Sequence, residues 1–186
     1  HGLVFILDWS GSMQYVLQDT CKQLFNLIWF CRKVGIPFEV YAFTNEWNRN
    51  KKDYETGEYK PANIQIHYKK KEGVFVIDER FNLMNLLTSK VNSKILEHQM
   101  MNIWRLATCF RTPLRYTYPS CLSLSATPLN EALICLHQIL PQFRKDNNLE
   151  KVQCIVLTDG ETNPLPFHKE VKRNWESKPY LGCRNI

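Results

Sequence analysis

The chain has 186 residues, 44% of them hydrophobic and 23% charged, with a formal net charge of +6. That composition is ordinary for one globular domain with its own core, and it excludes a disordered or fibrous chain. No apolar run approaches the roughly 20 residues of a membrane span, so no membrane contact is expected.

The positive excess is local, in Arg49-Asn50-Lys51-Lys52 and Lys69-Lys70-Lys71. Both runs read as solvated turns, and the interleaved aromatic and basic pattern of a nucleic-acid module is missing, so nucleic acid is not the expected partner. The seven cysteines have an odd count, no regular short spacing and no zinc-like pairing with histidine. Reduced, mostly buried thiols in a cytoplasmic protein are expected. The chain opens at His1 without an initiator Met, directly before its first strand. It reads as a fragment of a longer protein, one domain over residues 1–186.

In chain order, Gly2 to Leu7 reads as a central parallel strand, apolar on both faces. Residues 13–34 follow at helical spacing through Leu17, Cys21, Leu24, Phe25, Ile28 and Trp29, and Gly35 ends the helix. Pro37 forces extended backbone, and Phe38 to Phe43 reads as the next strand, completing a β-α-β unit. Asn45 to Ala62 reads as a long polar loop. Ile64, Ile66 and Tyr68, then Val74 to Ile77, predict an edge hairpin turning at Gly73, whose lysines discourage further pairing.

Phe81 to Leu87 and Ser93 to Phe110 carry helical periodicity, and residues 111–124 are irregular. Thr127-Pro128 opens a helix with apolar face Leu129, Leu133, Leu136 and Leu140. Val152 to Leu157 reads as a second central strand, and Phe167 to Trp175 as a short basic helix. Strands alternating with helices predict a three-layer α/β/α, Rossmann-like domain with a mostly parallel central sheet and an antiparallel edge hairpin. Ligands bind such sheets at the carboxyl ends of the strands, where Asp8 and Asp159 both fall.

Asp8-Trp9-Ser10-Gly11-Ser12 follows the first strand directly. A carboxylate with two alternating small hydroxyls makes an all-oxygen pocket suited to a hard cation, Mg²⁺ or Mn²⁺. Two later segments have the same character: Ser125-Ala126-Thr127-Pro128-Leu129, and Leu157-Thr158-Asp159-Gly160-Glu161 at the end of the second apolar run. Singly, each segment is equally well a helix cap or a turn.

Together the three segments resemble the metal-ion-dependent adhesion site (MIDAS) of the von Willebrand factor A (VWA) family. Within it they look most like the VWA region of CobT-like cobaltochelatase subunits and bacteriophage relatives. The resemblance implies that Ser10, Ser12 and Thr127 hold the ion through hydroxyls. Asp8 and Asp159 would hold it through water or directly, and one position would stay open for the Asp or Glu of a protein partner. It further implies a non-catalytic binding module, with an AAA-type ATPase as partner in a chelatase-like complex, or a phage protein acting in the host cytoplasm. The chain departs from the family in three places. Leu124-Ser125-Ala126 lacks glycines, residues 45–110 form a larger insertion, and the family's last strand is not accounted for. The alternative reading is a Mg²⁺-dependent hydrolase or phosphotransferase using Asp8 or Ser10. No Gly-x-Ser-x-Gly segment or phosphate-binding glycine loop accompanies it.

Overall fold

Leu3-Val4-Phe5-Ile6-Leu7 can be buried on both faces only inside a sheet flanked by strands and helices. The structure is a computed structural model describing residues 1–45, 51–52, 59–60, 69–78, 80–112, 118–172, 174–175 and 177–185. The elements in order are β1 (Gly2–Asp8), α1 (Leu17–Val34), β2 (Phe38–Asn45), β3 (Lys51–Lys52), β4 (Tyr59–Lys60), β5 (Phe81–Thr88), α2 (Ser93–Arg111), α3 (Leu129–Asp146), β6 (Val152–Leu157), β7 (Pro166–Val171) and β8 (Tyr180–Asn185).

Four strands form the central sheet in the order β5-β2-β1-β6. β1 pairs in parallel with β2 and β6, and β5 pairs antiparallel with β2. β3 and β4 form one separate antiparallel ribbon, β7 and β8 another. The domain is therefore mixed α/β with a mostly parallel central sheet. Phe5, Leu7, Phe38, Val40 and Ala42 on one face pack against Leu17, Leu24 and Ile28 of α1 and Leu96 and Ile103 of α2. On the other face, Val4, Ile6 and Phe43 pack against Ala132, Leu136 and Phe143 of α3. Each fully buried Leu, Ile or Phe contributes about 1.5–3 kcal/mol, so these two clusters set where the sheet's ends can lie. Among the described residues, no helix is long and apolar enough to cross a membrane, and all seven cysteines are free thiols.

The β-α-β start forms as expected. A 3₁₀ turn at Ser12–Tyr15 precedes α1, and Gly35, in the left-handed region at φ 71°, caps the helix. Four expectations are corrected. Phe81 to Leu87 is not helical but forms the antiparallel strand β5, which among the described residues ends the sheet on this side. Residues 61–68, the hairpin's first arm, lie outside the described residues. Val74 to Ile77 holds only an isolated bridge, from Phe75 to Phe167, with Gly73 in the left-handed region at φ 79°. Residues 166–171 are strand β7, not a basic helix. Among the described residues, Val152 to Leu157 lies at the end of the central sheet, with Gln153 and Val156 exposed, rather than between two strands. On α3, Leu133 faces solvent, and the buried line runs through Ala132, Leu136 and Phe143.

Candidate metal centre

β1 ends at Asp8, and β6 ends one residue before Thr158-Asp159. Because the two strands are adjacent and parallel, both carboxylates come to the same end of the sheet. Asp8 is fully buried, and both its oxygens accept hydrogen bonds: Oδ1 from the Ser10 N–H at 2.9 Å, Oδ2 from the Thr158 hydroxyl at 2.7 Å. Ser12 Oγ donates to Asp159 Oδ1 at 2.9 Å, and Ser10 Oγ lies 2.9 Å from Ser12 Oγ. A hydroxyl has one proton, and that of Ser12 is committed to Asp159. The Ser10 hydroxyl, which also reaches the Asp8 carboxylate, links through Ser12 to Asp159 in one polar chain.

The floor of this chain is held by backbone. Trp9 N–H donates to the Phe43 carbonyl at 3.0 Å, Gly11 N–H to the Ser125 carbonyl at 2.7 Å, and Ser125 N–H to the Trp9 carbonyl at 3.2 Å. The Ser125 segment thus lies alongside Trp9-Ser10-Gly11 as a short parallel bridge. Trp9 is itself fully buried and donates Nε1–H to the Leu122 carbonyl at 2.8 Å.

Four of the five residues singled out from sequence are therefore brought together: Asp8, Ser10, Ser12 and Asp159. Thr127 is placed differently. It stands two residues beyond the bridge at Ser125, half-buried, and its carbonyl accepts from Asn163 N–H at 3.0 Å and from the Thr162 hydroxyl at 3.4 Å. These bonds tie it to the loop after Asp159. No hydrogen bond of its side chain to the other four appears among the described residues. Pro128 precedes α3 without a side-chain cap, so Thr127 does not act as the helix cap either. Thr158 is the residue that sequence reasoning passed over. Its signal was its place between an apolar strand and Asp159, where a hydroxyl can face the neighbouring strand's end.

The electrostatics are those of a site short of positive charge. Burial pushes the Asp8 carboxyl above the ordinary carboxylate value. Hydrogen bonds from Thr158 and Ser10 work against that, and the nearby negative charge of Asp159 adds to it. A hard cation is the natural complement to two carboxylates joined by neutral hydroxyls, because oxygen is its preferred ligand and its charge relieves the burial penalty. The donor set fits such an ion, which would compete for the lone pairs that now accept hydrogen bonds. Among the described residues, no three or more His, Cys, Asp or Glu side chains gather where they could hold a metal. The set here has only two carboxylates, with hydroxyls for the remainder.

Comparison with protein-family models, with curated proteins and with solved structures finds no match for this chain.

Replacing Thr158 with Val keeps the shape and removes the donor to Asp8 Oδ2. The expected cost is about 1–2 kcal/mol at pH 7, the penalty for leaving a buried charged acceptor short of a partner. Denaturant unfolding with an unchanged m-value checks it.

Proposed function

We propose that the chain is a VWA-like, three-layer α/β/α module whose oxygen-lined cup binds Mg²⁺, with Mn²⁺ as substitute. Through the ion it captures an Asp or Glu of a protein partner. The observation that carries this reading is the Ser12–Asp159 hydrogen bond at 2.9 Å, between residues 147 positions apart, within one polar chain that reaches the buried Asp8. Ser10, Ser12 and Asp159 would hold the ion, Asp8 would stabilise it from below, and Thr127 would join through a small movement of its loop. Neutral hydroxyl ligands leave the ion most of its charge, which is what attracts an incoming carboxylate. An AAA-type ATPase of a cobaltochelatase-like complex is the partner the sequence resemblance suggests, in the cytoplasm or, for a phage protein, in the host cytoplasm.

The enzyme alternative has less to recommend it. Asp8 is fully buried with both oxygens engaged, and Ser10 is 1% exposed with its hydroxyl in hydrogen-bond contact with Ser12. Neither is presented to a substrate.

Ser12→Ala tests the proposal directly. It removes the central link of the chain on an exposed turn, so the fold should survive with a stability change within about 0.5–1 kcal/mol. Mg²⁺ affinity, measured by calorimetry, should fall by about tenfold or more, and capture on a resin bearing carboxylate peptides should become insensitive to EDTA. An unchanged Mg²⁺ isotherm in a well-folded variant would contradict the proposal.

A further inference from the structure

β7 is bonded along both of its sides. β8 pairs with it on one, with His168 opposite Cys183 and Val171 opposite Tyr180. On the other, His168 N–H donates to the Val74 carbonyl and Val76 N–H to the Pro166 carbonyl, both at 2.8 Å, with Phe75 opposite Phe167. Side chains alternate along such a ribbon, so its two faces differ. One face carries His168, which is buried. The other carries Phe75, Phe167, Lys169, Val171, Gly182 and Tyr180, and of these Phe75, Lys169 and Tyr180 are exposed. A side chain at Gly182 would press on Val171 at 3.3 Å and on the Tyr180 ring at 3.4 Å, so the ring lies over the glycine along this face.

The ribbon also holds most of the chain's positive excess. Residues 69–76 and 166–185 contain eight Lys or Arg against three Glu, five of the six excess charges. Lys69, Lys70, Lys71, Lys169, Lys172 and Lys178 are all exposed, and none makes an ion pair among the described residues. The turn at 71–74, closed by Val74 N–H on the Lys71 carbonyl at 3.2 Å, lies toward the same end of β7 as the connection to β8 at 172–179. Trp175, in that connection, is 79% exposed. No single stretch of sequence interleaves these basic and aromatic residues. The ladder assembles them from segments far apart in the chain.

We propose that this face binds single-stranded nucleic acid, with bases stacked on Phe75, Tyr180 and Trp175 and phosphates held by the surrounding lysines. Phosphates supply the countercharge that the six lysines do not find within the chain, and every base has a π-face for an aromatic side chain. From Phe167 to Val171 the strand advances about 13 Å, room for the two or three bases that open sheets stack on their aromatics. An anionic membrane would attract the same lysines. It fits less well, because residues 172–179 offer no Leu, Ile, Val or Phe beside Trp175 to enter the acyl layer. The site is independent of the oxygen-lined cup.

Fluorescence anisotropy of labelled single strands of about 12 nucleotides, one RNA and one DNA of mixed sequence, tests this on the full chain. At 50 mM salt the expected dissociation constant is about 1–10 μM, weakening about twentyfold by 100 mM, the salt slope of six phosphate contacts to a single strand. Changing Lys69, Lys70 and Lys71 together to Ala should halve that slope. Trp175→Ala and Phe75→Leu should each lower affinity about five- to a hundredfold, with the slope and the melting curve unchanged. EDTA should have no effect, and the tighter of the two strands identifies which nucleic acid is taken. Absence of binding, tighter binding to a duplex of the same length, or full affinity in both aromatic variants would each overturn the proposal. Loss in EDTA would overturn it in favour of the metal centre, and capture by phosphatidylserine vesicles without oligonucleotide binding in favour of a membrane.

Discussion

Mg²⁺ at about one hundred times its dissociation constant will raise the melting temperature by about 5–10 °C at pH 7, and Asp8→Asn will abolish that rise. The size follows from mass action. Saturation to that degree stabilises the folded chain by about 2.7 kcal/mol, and a domain of this length gains about 2–4 °C per kcal/mol. The dependence on Asp8 follows from its burial. Its carboxyl sits above the ordinary carboxylate value, mainly because burial penalises the charged form. Between the ordinary value and the raised one, the folded chain binds more protons at this group than the unfolded chain does. Stability from Asp8 is therefore fullest at acid pH and is lost as pH rises through the raised value.

The ion reverses that slope, since it requires the charged form. Its stabilising effect should shrink on acidification as the proton takes its place. Asp8→Asn keeps size and shape and carries no charge to desolvate. Without Mg²⁺ the variant should match or exceed the parent at pH 7, and it should show no response when Mg²⁺ is added. Differential scanning calorimetry at pH 5 and pH 7, with and without Mg²⁺, reads all of this. An equal Mg²⁺ response in parent and variant would remove Asp8 from the site.

The centre of the fold was legible because β1 is a continuous apolar run and α1 repeats at 3.6 residues between unmistakable stops at Gly35 and Pro37. The edges were not. Phe81-Asn82-Leu83-Met84-Asn85-Leu86-Leu87 has no β-branched residue, and its apolar spacing suits a helix. β2 overrides that preference, because the buried Glu39 needs donors and finds them in Asn85 at 2.5 Å and Thr88 at 2.9 Å, both on β5. β7 is short and carries His168, Lys169 and Glu170, and its identity comes from the ladder to β8 rather than from any pattern of its own. The run Val152 to Leu157 looked interior because five of its six residues are apolar; its position at the end of the described sheet depends on which strands lie beside it, which a single strand's sequence does not encode.

The hydrogen-bonded cluster of the candidate site was legible to the extent that chemistry is carried by short strings at strand ends. Asp8, Ser10, Ser12 and Asp159 follow from two such strings and the parallel pairing of β1 with β6. Thr158 was hidden because its role depends on facing the neighbouring strand. Thr127 stands apart from the other four for a related reason. The bridge that places its loop is made by backbone atoms of Ser125, Trp9 and Gly11, and the direction of the next two residues is then set by Asn163 from the far side.

Trp9→Ala should be the most damaging single change near the site, costing about 4–5 kcal/mol of a total of about 5–15 kcal/mol. Trp9 lies between Asp8 and Ser10 and is fully buried. Its ring stands edge-on to Phe110, with centroids 5.8 Å apart and planes at 81°, and Phe110 meets Tyr118 in the same manner at 5.2 Å. Truncation opens a cavity at the foot of α2 and strands the Leu122 carbonyl, which accepts the indole N–H. Trp9→Phe separates the two contributions. It keeps most of the ring contact and gives up the hydrogen bond, so it should cost about 1–2 kcal/mol. The pair also distinguishes packing from site geometry. The backbone of Trp9 fixes the turn through Phe43 and Ser125, so the phenylalanine variant should keep Mg²⁺ affinity within a few-fold, while the alanine variant should lose it even where it remains folded. Denaturant midpoints beside Mg²⁺ titrations measure both, and a cost below about 1 kcal/mol for Trp9→Ala would show that this ring does not anchor the end of β1.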